Sequence, residues 1–189
     1  MITNYSSNLI KVLNSFDSKL HANFEKLKTN TYNSLRKGKK VIFFGNGGSA
    51  SDAEHLATEF IVKFKTERKS LPSISLTSNT SLITACANDF DFSYIFKRQL
   101  ESILENGDIV IGISTSGKSK NVLKALDYAN KKKNFTCLFT GNYKTKNKYK
   151  CIISIPSKET ARIQECHILI GHALIEDIEK KYGFKTHFK

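Results

Sequence analysis

Two stretches of the 189-residue chain carry side chains that could move protons or hold a metal, and both read as helices. In AEHLATEF (53–60), His55 and Glu59 stand four apart. A helix turns so that such a pair lies about 40° apart, one turn above the other on a single face. An imidazole and a carboxylate so placed can share a metal, act as an acid–base pair, or form an ordinary surface contact. In TARIQECHILIGHALIEDI (160–178) the residues are apolar nearly all round between Cys166 and Ile175, which predicts a buried helix. Gln164 and His172 lie two turns and about 80° apart on it, and buried polar groups need partners, which a metal or a substrate would provide. His167 does not share the face of His172 and reads as a packed or hydrogen-bonded histidine.

Two loops have the composition to hold an anion. GNGGSASDAEH (45–55) follows the strand-like KVIFFG. Gly45, Gly47 and Gly48 permit a tight turn and close backbone approach, and Ser49 offers a hydroxyl near the next helix start. The spacing is neither that of a P-loop nor GxGxxG, so a plain strand-to-helix turn remains an alternative. STSGKSKN (114–121) follows DIVIGI and places Ser114, Thr115, Ser116 and Ser119 within six residues of one another. Four hydroxyls at the positive end of a helix suit a phosphate, whereas an N-cap would need one or two.

The elements that must carry these groups alternate. KVIFFG (40–45), SISLT (73–77), DIVIGIS (108–114), FTCLFT (135–140) and CIISIP (151–156) are short apolar runs that suit strands buried on both faces. Helical stretches fall at about 50–65, 80–105, 118–133 and 159–182. Alternation of this kind predicts a three-layer α-β-α sandwich around a five-stranded parallel sheet with right-handed crossovers, flavodoxin-like in class. Ligands of such sheets bind beyond the carboxyl ends of the strands, where both loops lie. Residues 1–38 read as an N-terminal helical arm. Leu9, Leu13, Phe16, Leu20, Phe24 and Leu27 form a narrow stripe suited to an oligomer contact or to packing on the chain's own domain, with Asn30 and Thr31 a possible break. Residues 39–189 form the α/β core of one domain.

The composition is globular, with 40% hydrophobic and 25% charged residues. No apolar run is long enough to span a bilayer, and the N-terminus lacks the features of a signal peptide, so the expectation is a cytoplasmic protein without a membrane partner. The four cysteines have no metal-ligand spacing and read as small buried hydrophobes. A net charge of +13 would suit nucleic acid, but the lysines are spread along the chain. The densest patch, Lys144 to Lys150, has no nucleic-acid-binding signature around it, and nucleic acid is not the expected partner. A positive field also concentrates anionic substrates.

GNGGSASDAEHLATE (45–59), ANDF (87–90), GISTSGKS (112–119) and ARIQECHILIGH (161–172) together resemble the motifs of phosphoheptose isomerases, within the sugar isomerase (SIS) domain superfamily. The resemblance runs from about residue 5 to 180. It implies isomerisation of sedoheptulose 7-phosphate to D-glycero-D-manno-heptose 7-phosphate, the first step towards nucleotide-activated heptoses. It also implies a homotetramer with active sites between subunits. Carried over by position, His55, Glu59, Gln164 and His172 would hold one Zn2+ per subunit. Asn46, Gly47, Gly48, Ser49, Glu59, Asn88, Asp89, Ser114, Thr115, Ser116, Ser119 and Gln164 would contact the phosphorylated heptose. Glu59 would move the carbon-bound proton and His172 would assist from the opposite side.

The chain departs from the family pattern at Lys63, where many members have Arg, and at Ala161, where some have Asp. Lys63 loses the bidentate fork of an arginine, and Ala161 can serve as neither acid nor base. Three rivals share the scaffold. The first, an adaptor for a replication initiator, lacks the carboxylate and second histidine that this chain keeps as Glu59 and His172. The second, an SIS transcription regulator, needs a helix-turn-helix before the first strand. The third is an isomerase of another phosphosugar, which the same loops would serve.

Overall fold

The computed structural model describes residues 2–142 and 149–183. Five strands, β1 (Val41–Gly45), β2 (Ser73–Ser75), β3 (Ile109–Ile113), β4 (Phe135–Thr140) and β5 (Cys151–Ser154), form one parallel sheet in the order β2-β1-β3-β4-β5. β1 and β3 are buried along their whole length, as their unbroken Val/Ile/Phe runs require. The edge strands differ from the expectation of burial on both faces. β2 pairs over three residues and leaves Ile74 37% exposed, and β5 alternates buried and half-buried positions. An edge strand has one neighbour and less cover, so two-sided burial fails there first.

Helices cover both faces. On one side α2 (Ser18–Arg36), α3 (Gly48–Ile61) and α7 (Thr160–Lys181) pack on Val41, Phe43, Ile111 and Phe139. On the other, α4 (Thr80–Asp89), α5 (Ile95–Ile103) and α6 (Lys120–Lys131) cover Ile42, Phe44, Val110 and Leu138. The alternation of odd and even strand residues between two cores is the pleat expressed as packing.

Two predicted helices are broken. The arm divides at residues 15–17 rather than at Asn30 and Thr31, giving α1 (Ile2–Asn14) and α2. Asp17 is the reason, since its carboxylate accepts the Leu20 N–H at 2.7 Å and starts α2. Thr31 is buried inside α2. The 80–105 stretch divides where Asp91 accepts from Ser93 N–H at 2.8 Å and opens a short 3-10 turn. α1 buries none of its residues fully, and Ile2 and Tyr5 are 82% and 64% exposed. Arg162 of α7 holds it by donating to Tyr5 O at 2.8 Å.

All four cysteines are buried and unpaired. Among the described residues no helix is long and apolar enough to cross a membrane. Most of the lysine-dense patch, residues 144–148, lies outside the described residues.

Candidate active site

The strand order reverses direction between β1 and β3. From β1 the chain crosses through α3 outward to β2, and from β3 it crosses through α6 the other way to β4. The loops after β1 and β3 therefore part and leave a crevice, with the starts of α3 and α6 at its walls. Both anion-suited loops are these two.

In the first loop the glycines are required by close contacts. A Cβ on Gly45 would come within 2.6 Å of Ser49 O, and Gly47 sits at φ +56° as the residue capping α3. Ser49 is buried at the start of α3. Asn46 is fixed by an amide pair with Asn121, donating to Oδ1 at 2.9 Å and accepting from Nδ2 at 2.8 Å. Asn121 is buried and also accepts the Val122 N–H, so it ties the β1 loop to the start of α6.

In the second loop Ser114 and Ser119 share a hydroxyl–hydroxyl bond of 2.9 Å, and Ser116 Oγ accepts from Lys118 N–H at 3.2 Å. Gly117 turns the chain at φ +63°. Ser119 occupies the N-cap of α6 but makes no side-chain cap bond. Ser114, Ser116 and Ser119 thus bond one another or the loop backbone rather than cap the helix, and Thr115, Ser116 and Ser119 are partly open.

α3 and α7 lie side by side and run the same way, for Gly48 touches Gln164 and His55 touches His172. Close approach is permitted at Gly171, whose missing Cβ leaves room for Leu56. Next to it the two imidazoles meet, His55 Nε2 and His172 Nε2 at 2.8 Å, and Glu59 Oε1 stands 3.7 Å from His55 Nε2. Phe64 stacks on the other side of His172, with ring centroids 5.0 Å apart and planes at 23°. Burial, and then the charge of His55, hold the His172 imidazole below its ordinary pKa, with Glu59 pulling the other way. One turn before His55, burial pushes the Asp52 carboxyl up to about 6, and its Oδ2 is enclosed without a hydrogen-bond partner.

The remaining expected residues lie apart from this triad in a single chain. Gln164 rests against Gly48, about 12 Å along α7 from His172. Asn88 and Asp89 end α4, exposed and bonded to each other at 2.9 Å. His55, Glu59 and His172 offer the imidazole nitrogens and carboxylate oxygen that zinc takes. Among the described residues, though, no three His, Cys, Asp or Glu side chains close into a complete metal-binding group. His167 is buried, and its Nε2 lies 3.3 Å from Thr140 O, the structural role its helix face implied.

Residues 4–140 match the family model described as SIS domain. The chain is 49% identical over 148 residues to a phosphoheptose isomerase of Thermodesulfovibrio yellowstonii, covering 77% of this chain and 74% of that protein. It is 47% identical over 158 residues to one of Paramagnetospirillum magneticum, covering 82% of each. The chain belongs to the phosphoheptose isomerase family of SIS-domain proteins. The fold agrees with solved members of that family. The phosphoheptose isomerase of Neisseria gonorrhoeae superposes with a TM-score of 0.87 at 30% identity over 95% of this chain and 97% of that one. One from Francisella tularensis gives 0.88 at 31% identity over 95% and 96%.

Against that family background, the sequence reading missed three side chains at the site, Asp52, Phe64 and Asn121. Asp52 lies inside the glycine-loop motif three residues before His55, a helical spacing that could have marked it. Asn121 ends the hydroxyl-rich motif as quoted, but its partner Asn46 is 75 residues away. Nothing local marks Phe64.

Proposed function

We propose that the protein is an aldose–ketose isomerase that converts sedoheptulose 7-phosphate to D-glycero-D-manno-heptose 7-phosphate. The observation that carries the reading is the meeting of His55, Glu59 and His172 across α3 and α7. α3 starts at the same crevice that the hydroxyl-rich loop before α6 lines. Membership of the family supports the choice of sugar.

The chemistry divides between the two ends of the substrate. At the phosphate end, Ser49, Ser114, Thr115, Ser116 and Ser119 offer hydroxyls, and the first N–H groups of α3 and α6 add positive helix ends. Fixing the phosphate orients C1 and C2. At the reacting end, the Glu59 carboxylate takes a proton from C1 of the ketose. The electron pair becomes the C1–C2 double bond of an enediolate, with the negative charge on the former carbonyl oxygen. Return of the proton at C2, with a proton moved from the C1 hydroxyl to the C2 oxygen, gives the aldose. His172, whose imidazole burial and the charge of His55 hold below its ordinary pKa, is suited to relay the oxygen-bound proton. Asn46, Gly47, Gly48, Asn88, Asp89 and Gln164 are assigned to substrate hydroxyls by their place in the family motifs. A zinc ion, held by His55, Glu59 and His172, with Gln164 supplied across the interface from a neighbouring subunit because the two ends of α7 lie too far apart in one chain, would polarise the carbonyl and stabilise the developing charge. We assign one such ion to each subunit of a homotetramer.

The test is proton NMR of sedoheptulose 7-phosphate incubated with the protein, beside Glu59→Gln. An aldose heptose signal that disappears in the variant is the expected result. No turnover, with zinc supplied, would remove this substrate from the reading. Elemental analysis and native mass spectrometry check the zinc and the tetramer, and a clean monomer would sink the latter.

A further inference from the structure

The segment between α3 and β2, residues 62–72, has no regular structure and contains no glycine, yet one carboxylate holds it in place. Glu179, buried on α7, accepts four hydrogen bonds. Its Oε1 takes Phe64 N–H at 3.0 Å and Arg68 Nε–H at 2.7 Å, and its Oε2 takes Lys65 N–H and Thr66 N–H, each at 3.0 Å. The fully buried Arg68 side chain then reaches back to the last turn of α3, donating through Nη2 to Glu59 O and through Nη1 to Phe60 O, both at 2.8 Å.

The placement of these bonds is what matters. Glu179 lies two turns beyond His172, about 20° round α7, so both face the same loop. Phe64, the first residue that Glu179 grips, is the ring stacked on His172. Arg68, the last, is bonded to the backbone of Glu59. The path from Glu59 through Arg68 to Glu179 joins the two helices by charge-assisted bonds, and from Glu179 it reaches His172 through the stacked ring of Phe64.

We propose that Glu179 and Arg68 are positioning residues that set the His172 ring, through Phe64, and the turn of α3 that carries Glu59. The role rests on the isomerase reading for its effect on rate, but not for its effect on geometry. Phosphate binding lies at the other end of the crevice and does not depend on it.

The test uses Glu179→Gln in the full chain. Each carboxylate oxygen accepts two donors, so an amide nitrogen at either position would face two N–H groups and forfeit two of the four bonds. Phe64 stacking gives the His172 Cε1 proton a ring-current shift, readable by NMR among the five histidines and assigned through His172→Gln. In Glu179→Gln that shift is lost, as it is in Phe64→Leu, while the His167 resonance stays. The turnover number falls about tenfold or more with KM for the sugar phosphate little changed. Arg68→Lys keeps the charge opposite Glu179 but cannot bond two carbonyls at once. It lowers turnover likewise and leaves the His172 resonance closer to that of the unaltered protein. A folded Glu179→Gln protein whose His172 resonance keeps its position in the unaltered protein, with unaltered turnover, would overturn the proposal. If Glu179→Gln does not fold, Arg68→Lys with unaltered turnover overturns it instead. Should the unaltered protein not isomerise the sugar, the substrate reading fails while the resonance still decides the positioning role.

Discussion

Gly171→Ala tests whether the contact of α3 with α7 sets the site. A Cβ at Gly171 would overlap Leu56 Cδ2 and come within 2.7 Å of Cδ1 and 3.0 Å of Cγ. Leu56 is fully buried and cannot swing into solvent. Overpacking of this kind costs about 1–3 kcal/mol, and the better helix propensity of alanine returns about 1 kcal/mol. The net loss of stability is therefore small, about 0–2 kcal/mol, and lowers Tm by about 8 °C at most. The effect on activity is larger. The contact is flanked by His55 on one helix and His172 on the other, 2.8 Å apart, so relief of the clash widens that gap. A displacement of about 1 Å between reacting groups costs on the order of 100-fold in rate. Turnover by NMR and thermal unfolding, measured on the same protein, separate the two effects. Leu56→Ala costs about 2–5 kcal/mol alone, but the added methyl of Gly171→Ala partly refills its cavity. The double variant is thus more stable than the sum of the single changes predicts, by about 1 kcal/mol. Gly171→Ala with raised stability and unaltered turnover, or an additive double variant, would refute the reasoning.

Burial holds the His167 imidazole at a pKa of about 4, against 6.5 when unfolded, despite its bond to Thr140 O. Above about pH 6.5 both states are neutral and stability is complete; as pH falls towards 4 the unfolded chain takes up a proton that the native state refuses. Chemical denaturation between pH 7 and 4 should show the parent losing about 3 kcal/mol more than His167→Gln, and parallel curves would exclude the effect. Asn121→Ala removes both arms of the amide pair with Asn46 and the bond to Val122 N–H. It should cost about 2 kcal/mol in urea titration and raise KM through the freed β1 loop, and an unchanged KM would show that Asn46 is held some other way. The four buried thiols should be silent to a thiol reagent in the native protein and react together on unfolding. Burial raises Cys86 and Cys166, the latter to about 11, which slows them further, and rapid labelling of any one would place it at the surface.

What the sequence made legible was what it writes locally. KVIFFG and DIVIGIS are continuous apolar runs because β1 and β3 lie between two helical layers. The loops after them announce themselves because glycine and hydroxyl residues are uncommon at that density. The break at Asp17 was hidden by the stripe itself. Leu13, Phe16 and Leu20 keep a three-to-four spacing straight across it, so periodicity continues where the backbone does not. SISLT has the composition of a buried strand, but whether a strand is central or at an edge is a property of topology.

The site follows the same division at a finer scale. His55 and Glu59 could be paired from spacing alone, because a helix dictates which residues share a face. His172 could be suspected but not placed, since its distance to His55 depends on how closely two helices approach. Gly171 against Leu56 permits that approach. Gln164 shows what a motif leaves open, namely where its residues stand relative to one another in space. It has the expected place in the sequence, yet in this chain it lies beside Gly48 rather than with the histidines. Glu179 is the extreme case. Its acceptor bonds span 111 to 115 residues, and in the sequence it is one more acidic residue in a charged helix end. Its burial and its four donors make it a fixed strut, and only the folded chain brings those donors to it.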